Sequence, residues 1–145
     1  MKQKEQKAWA EIELKAICQG PDEIAKIKQI SPASLAYLGD AVYELYVRTY
    51  YLLPAQRLAN YHDRVVKQVR AEAQAAHLKS LLDRLDDREL EIVRRGRNAA
   101  NGGRRGLDRN IYQQATSLET LLGYLYINNP NRLRELLERL ELDRT

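Results

Sequence analysis

The stretch Ser31-Pro-Ala-Ser-Leu-Ala-Tyr-Leu-Gly-Asp40-Ala-Val-Tyr-Glu44-Leu-Tyr-Val47 decides the class of the fold. Ser31 suits an N-cap and Pro32 suits the first helical position, where a missing N–H costs nothing. Beyond it Leu35, Leu38, Val42, Leu45 and Thr49 recur at helical spacing. That spacing predicts a helix with this stripe on the core, running to about Tyr50 before Pro54 ends the segment.

The same period continues downstream. Leu58, Tyr61, Val65, Val69, Ala73, Ala76 and Leu81 predict one long helix from about Leu58 to Leu85. Asp86 or Asp87 can cap a short helix through Leu90 and Val93. Ala115, Leu118, Leu122 and Leu125 mark a helix from Ile111 to Ile127, and Leu133, Leu136, Leu137 and Leu140 mark a last one after the turn Asn128-Asn-Pro-Asn131. No period-two stretch of strand length appears. The predicted class is all-α, a helical bundle in a single domain spanning 1–145.

Other features narrow the setting. The N-terminal run Met1-Lys-Gln-Lys-Glu-Gln-Lys7 has no apolar stretch behind it, so neither a secretory signal nor a membrane span is expected. The single cysteine, Cys18, allows no internal disulfide and no cysteine metal cluster, which fits a cytoplasmic protein. Among Ile12, Ala16 and Ile17 it reads as a small core residue.

Charge is concentrated in one place. Arg94, Arg95, Arg97, Arg104, Arg105 and Arg109 share the window 94–109 with one acid, Asp108. The formal net charge of the chain is +4, so outside this window acids slightly outnumber bases. Asn101-Gly-Gly-Arg-Arg-Gly106 cannot be stably helical and predicts a mobile basic loop over about 98–110. Arginine forks match phosphate oxygens bidentately, and a glycine-rich linker lets them follow a groove. A solvated loop without a ligand is the weaker reading of so directed a charge.

Two helices carry isolated acids. Asp40 and Glu44 are the charged residues between Ser31 and Val47, one turn apart on a shared face off the core stripe. Glu119 is the charged residue between Ile111 and Ile127, and Gly123 follows it by four. Gly39 and Ala41 flank Asp40 and leave room for a backbone or ligand to approach. Converging carboxylates suit a hard cation such as Mg²⁺. The ordinary fate of a lone acid on an apolar helix is to face water, however, and periodicity does not bring residue 40 to residue 119.

Three motifs carry a resemblance. Ser34-Leu-Ala-Tyr-Leu-Gly-Asp-Ala-Val-Tyr-Glu44 resembles the signature helix of the ribonuclease III family. Arg94-Arg-Gly-Arg-Asn-Ala99 and Gln114-Ala-Thr-Ser-Leu-Glu-Thr-Leu-Leu-Gly-Tyr-Leu-Tyr126 resemble its Mini-III subgroup, which keeps the nuclease domain and drops the separate double-stranded-RNA-binding domain. The resemblance spans about 31–128, and the short stretch after Gly123 leaves no room for an appended RNA-binding domain.

This resemblance implies a ribonuclease III-like endonuclease domain, homodimeric, that hydrolyses double-stranded RNA with Mg²⁺ (Mn²⁺ substituting) and leaves 5′-phosphate and 3′-hydroxyl ends. Asp40 and Glu119 would be the catalytic, metal-binding acids; Glu44, one turn along from Asp40, is either a supporting metal residue or an ordinary surface glutamate. The arginines at 94, 95, 97, 104, 105 and 109 would bind RNA; Lys67 either adds a phosphate contact or is a solvated lysine. The subgroup's usual task implies precursor 23S ribosomal RNA as substrate, within ribosome biogenesis, with a ribosomal protein as a further partner presenting it. His62 is not expected to act as general base, and nothing distinguishes His77. The dimer offers a use for Tyr37, Tyr43 and Tyr46 as rings buried against a partner subunit, beside ordinary burial within one chain.

The sequence also departs from the larger enzymes of the family. Ala36 stands where they carry a glutamate, and Thr116 where they carry an aspartate. Fewer carboxylates imply more metal-bound water and weaker metal retention. Two rivals follow: an RNA-binding module that has lost its chemistry, and a small helical DNA-binding protein. The second would need a recognition helix with basic and amide side chains on an exposed face.

Overall fold

The computed structural model describes residues 29–100 and 108–144. The expectations for Met1–Lys7, Cys18, Arg104, Arg105 and the Gly102–Gly106 stretch lie outside these residues. Among the described residues there are six α-helices and no strand, as the periodicity predicts: α1 (Pro32–Tyr51), α2 (Leu58–Val69), α3 (Ala71–Leu81), α4 (Asp87–Ala99), α5 (Arg109–Asn128) and α6 (Pro130–Glu138), with a 3₁₀ turn over Leu82–Arg84.

Local chemistry fixes most of the ends. The Ser31 hydroxyl accepts from the Ser34 amide at 3.1 Å, capping α1 ahead of Pro32. Asp86, not Asp87, caps α4 through a reciprocal pair: it accepts from the Glu89 amide at 2.8 Å while the Glu89 carboxylate accepts from the Asp86 amide at 3.0 Å. Asp108 and Asn129 cap α5 and α6 by accepting one amide each, from Asn110 at 2.7 Å and from Arg132 at 3.1 Å. Helix α4 runs through Asn98 and Ala99, and α5 begins at Arg109. Of the loop expected over 98–110, Asn98, Ala99, Arg109 and Asn110 are helical, and 101–107 lie outside the described residues.

The long helix expected over 58–85 is broken at Arg70, whose backbone is extended (φ −69°, ψ 156°). No Gly or Pro marks the break. Buried side chains instead accept the task of satisfying its free carbonyls: the Tyr43 hydroxyl donates to Gln68 O at 2.5 Å and Gln74 Nε2 donates to Val69 O at 2.9 Å. Leu58 and Ala76 of the expected stripe are exposed, while Gln68 and Gln74, on either side of the break, are buried.

Helix α5 is the centre of the bundle, and α1, α3, α4 and α6 all pack on it. Its Ala115, Leu118, Leu122 and Leu125 are buried as expected, as are Leu133, Leu136, Leu137 and Leu140 after it. The α1 stripe is different. Its core face is Leu35, Ala36, Gly39, Tyr43, Val47 and Tyr51. Leu45 is 59% exposed, and Leu38, Val42, Leu45 and Thr49 line an open groove of about 480 Å³ between α1 and α6. Helix α1 is apolar on two faces: of the expected stripe Leu35 is buried and Leu38 and Val42 are partly buried against the core, while Leu45 and Thr49 are exposed.

Tyr43 is fully buried inside its own chain, so it is not available to a partner subunit. Its single proton goes to Gln68, and the 2.9 Å contact with His77 Nδ1 is completed by the imidazole's own N–H. Tyr37 is 85% exposed and Tyr46 half-buried against Tyr50. The C-terminal residues are tied back on α1 and α2: Tyr51 Oη donates to Asp143 O at 2.5 Å and Gln68 Nε2 to the Asp143 carboxylate at 3.1 Å.

Candidate active site

The site is made by a helix crossing. At Gly39 of α1 and Gly123 of α5 the two backbones touch. A β-carbon added at Gly39 would run into the Glu119 carbonyl oxygen and lie 2.9 Å from the Gly123 amide nitrogen. One added at Gly123 would run into the Leu35 carbonyl oxygen. Only hydrogen fits on the facing sides, so the residues beside them, Asp40 and Glu119, are carried to the same edge of the crossing. Neither glycine pairs with the other by any sequence period.

The electrostatics follow from that proximity. Burial above all, then the Asp40 charge and least of all Glu44, together push the Glu119 carboxyl up to about 7. The Gln74 side chain pulls in the opposite direction. Asp40 is exposed and Glu119 half-buried, so the pair has one wet and one drier member. Glu44 is in a looser relation. It is half-buried and forms a 3.4 Å ion pair with Arg48 on its own helix. Among the described residues no three His, Cys, Asp or Glu side chains close into a metal-holding group.

The donor set is two hard oxygen acids, one open to solvent, with repulsion between them that a cation would relieve. That fits an ion such as Mg²⁺, which keeps several waters and binds through one or two carboxylates. It does not fit a closed all-protein cage. Ala36, at the position of a missing acid, is buried against α5 and leaves no polar group there.

The arginines come in on α4. Its Gly96 fits against α5, where an added β-carbon would lie 2.6 Å from Thr120 Oγ1 and 3.2 Å from Ser117 Cα, on either side of Glu119. Arg94, Arg95 and Arg97 are exposed at the end of that helix, and Arg109 is exposed at the start of α5. Arg94 is already engaged: its Nε and Nη2 donate to the Glu91 carboxylate at 2.9 and 2.6 Å, and Arg95 Nε lies 3.7 Å from the same group. Glu91 falls just outside the basic window and was not counted with it. Lys67 and His62 are exposed on α2. His77, which nothing distinguished, is buried on Tyr43, and burial lowers its pKa, Asp143 opposing. Gln74 escaped notice altogether, because a glutamine in an Ala-rich helix carries no signal of what it will face.

Residues 33–130 match the model of the Ribonuclease III domain. The chain belongs to the ribonuclease III family. Among curated ribonuclease III relatives, the Mini-ribonuclease 3 of Synechocystis sp. is 54% identical over 84% of this chain and 85% of its own length. That of Synechococcus sp. is 60% identical over 80% of this chain and 84% of its own. The crystal structure of a protein from Fusobacterium nucleatum superposes with a TM-score of 0.69 at 29% identity, covering 74% of this chain and 89% of that one. The resemblance drawn from the three motifs is thus borne out, and with it an endoribonuclease whose substrate is RNA. The two rivals, a binding module without chemistry and a DNA-binding protein, are set aside. Among the described residues no helix is long and apolar enough to cross a membrane.

Proposed function

We propose that this ribonuclease III domain hydrolyses double-stranded RNA as a Mg²⁺-dependent homodimer, with Asp40 and Glu119 as the acids of each site. The observation that carries the reading is the Gly39–Gly123 crossing, which sets those two carboxylates at one edge. A divalent cation held there would supply Lewis-acid polarisation of the phosphate and a more acidic water. The chain's own part is to hold the two acids apart at fixed spacing and to keep the Asp40 side open to solvent. Glu44 acts as an outer negative charge, tethered by Arg48.

Arg94, Arg95, Arg97 and Arg109, with Arg104 and Arg105 from the linker, grip the RNA backbone, and Lys67 adds a phosphate contact. Duplex RNA is read mainly by shape and phosphates, which suits arginines without a base-reading element. The second face of α1 supports the dimer: Leu38, Val42 and Leu45 line an open apolar groove beside the exposed Tyr37. The substrate we assign is precursor 23S ribosomal RNA, cut in the cytoplasm to 5′-phosphate and 3′-hydroxyl ends, with a ribosomal protein presenting it.

The test is cleavage of a long RNA duplex in Mg²⁺ by the native chain, Asp40→Asn and Glu119→Gln. Cutting that needs Mg²⁺ and disappears in both variants while duplex binding persists is the expected result. Tight binding without cutting by the native chain, in Mg²⁺ and in Mn²⁺, would overturn it.

A further inference from the structure

The break between α2 and α3 brings a buried amide to the acid pair. Gln74 is 3% exposed, on the face of α3 that packs on α5. Its Nε2 carries two hydrogens. One goes to Val69 O at 2.9 Å, which satisfies the end of α2, and the side chain also lies close enough to the Glu119 carboxyl to lower its pKa. Its Oε1 is buried without a partner among the described residues.

These three facts separate structure from function. The Val69 bond accounts for one N–H as a helix-end cap. It does not account for the second, on a side chain held beside an acid that burial already disfavours. Nor does it account for the orphaned oxygen, which costs stability that an apolar side chain of the same length would not incur. Anchored at Val69, the amide can meet Glu119 only along one direction, and so restricts where that carboxylate can turn.

We infer that Gln74 is a positioning residue of the site: clamped to the Val69 carbonyl, it orients the Glu119 carboxylate for the divalent cation. The inference rests on Asp40 and Glu119 being the metal acids. Groups that orient a ligand from behind are worth on the order of 10-fold or more in metal affinity.

The test uses Mn²⁺ alone, titrated into the full-length chain and followed by electron paramagnetic resonance, without RNA. Gln74→Met removes both N–H donors at constant length. We expect its Mn²⁺ dissociation constant to rise about 10-fold, with metal-free binding to an RNA duplex unchanged. A purely structural glutamine would lower the melting temperature and leave the Mn²⁺ constant of the folded protein where it was. Asp40→Asn is the control. If it binds Mn²⁺ as the native chain does, the metal reading of the site itself fails. If it loses Mn²⁺ while Gln74→Met retains native affinity, the site stands and the role of Gln74 is overturned. Should Gln74→Met not fold, the native protein still decides. The Gln74 side-chain amide resonances should shift on adding Mg²⁺, and their standing still while the Asp40 amide shifts overturns the inference.

Discussion

The carbonyl oxygen of Glu119 lies where a β-carbon of residue 39 would be, so the backbone of α5 occupies the space that any side chain at Gly39 would need. This contact between a glycine and a site residue's own main chain ties the packing of the bundle to the spacing of its acids. It also means that the crossing cannot be loosened without moving Glu119 relative to Asp40.

Gly123→Ala should therefore do more than fill space. The added methyl meets the Leu35 carbonyl oxygen, which is helix backbone and cannot swing aside. We expect a loss of about 3 kcal/mol or more, at the upper end of overpacking costs. Urea melts of Gly123→Ala against the native chain measure it; a change below about 1 kcal/mol would mean the helices separate freely.

Glu119 gives a pH signature. Its folded carboxyl is raised to about 7 from an ordinary 4.5, mainly by burial. A raised acid favours the protonated folded state, so the penalty for ionising it is absent below about 4.5, grows through the interval, and is complete above about 7. Glu119→Gln removes the charge at nearly constant shape. At pH 8, in chelator, it should stabilise the fold by on the order of 1–3 kcal/mol while abolishing cleavage. Equal native and variant stability at pH 8 would contradict the assigned burial of the charge.

His77 acts in the opposite sense. Burial holds its folded pKa below the ordinary 6.5. As pH falls through 6.5 the unfolded chain takes up a proton that the folded chain resists, so this group's contribution is lost toward acid and regained above. Thermal melts from pH 7.5 to 5 should show a decline that His77→Gln makes shallower. A parallel decline in both proteins would assign it elsewhere.

Arg132 holds a buried acid. Its Nε and Nη2 donate to Glu89 at 2.9 Å each, and the Glu89 side chain is only 4% exposed. Arg132→Met leaves that carboxylate buried and unpaired, which should cost about 3 kcal/mol or more. Calorimetry on the double variant Arg132→Met, Glu89→Leu should recover much of the loss.

The outer face of α1 tests the dimer. Leu45 is exposed, so Leu45→Asp should leave the melting of one subunit nearly unchanged. In a groove filled by a second copy it should weaken association by roughly 30-fold or more, the scale of a ~2 kcal/mol hot spot. Sedimentation equilibrium of the native chain and Leu45→Asp separates these outcomes; a native chain that is monomeric at all concentrations would remove the dimer.

Much of this fold could be read locally. Ser31 with Pro32 and Asp86 with Glu89 announce helix starts through bonds spanning three residues, and the leucine rows of α5 and α6 follow a simple period. What could not be read was tertiary. The break at Arg70 depends on Tyr43 and Gln74 reaching across from other segments to cap free carbonyls. Helix α1 offers two apolar faces, and composition does not say which one α5 will take. Asp40 and Glu119 were named through motif resemblance; their meeting depends on two glycines, each visible but neither pointing to the other.

Glu91 carries one more consequence. Its carboxylate sits on the fork of Arg94 and within reach of Arg95, an internal anion held where phosphate would bind. On the proposed reading, RNA docking at α4 would exchange one anion for another instead of filling bare cations. Fewer counterions are set free than six arginines suggest, so affinity should fall less steeply with salt.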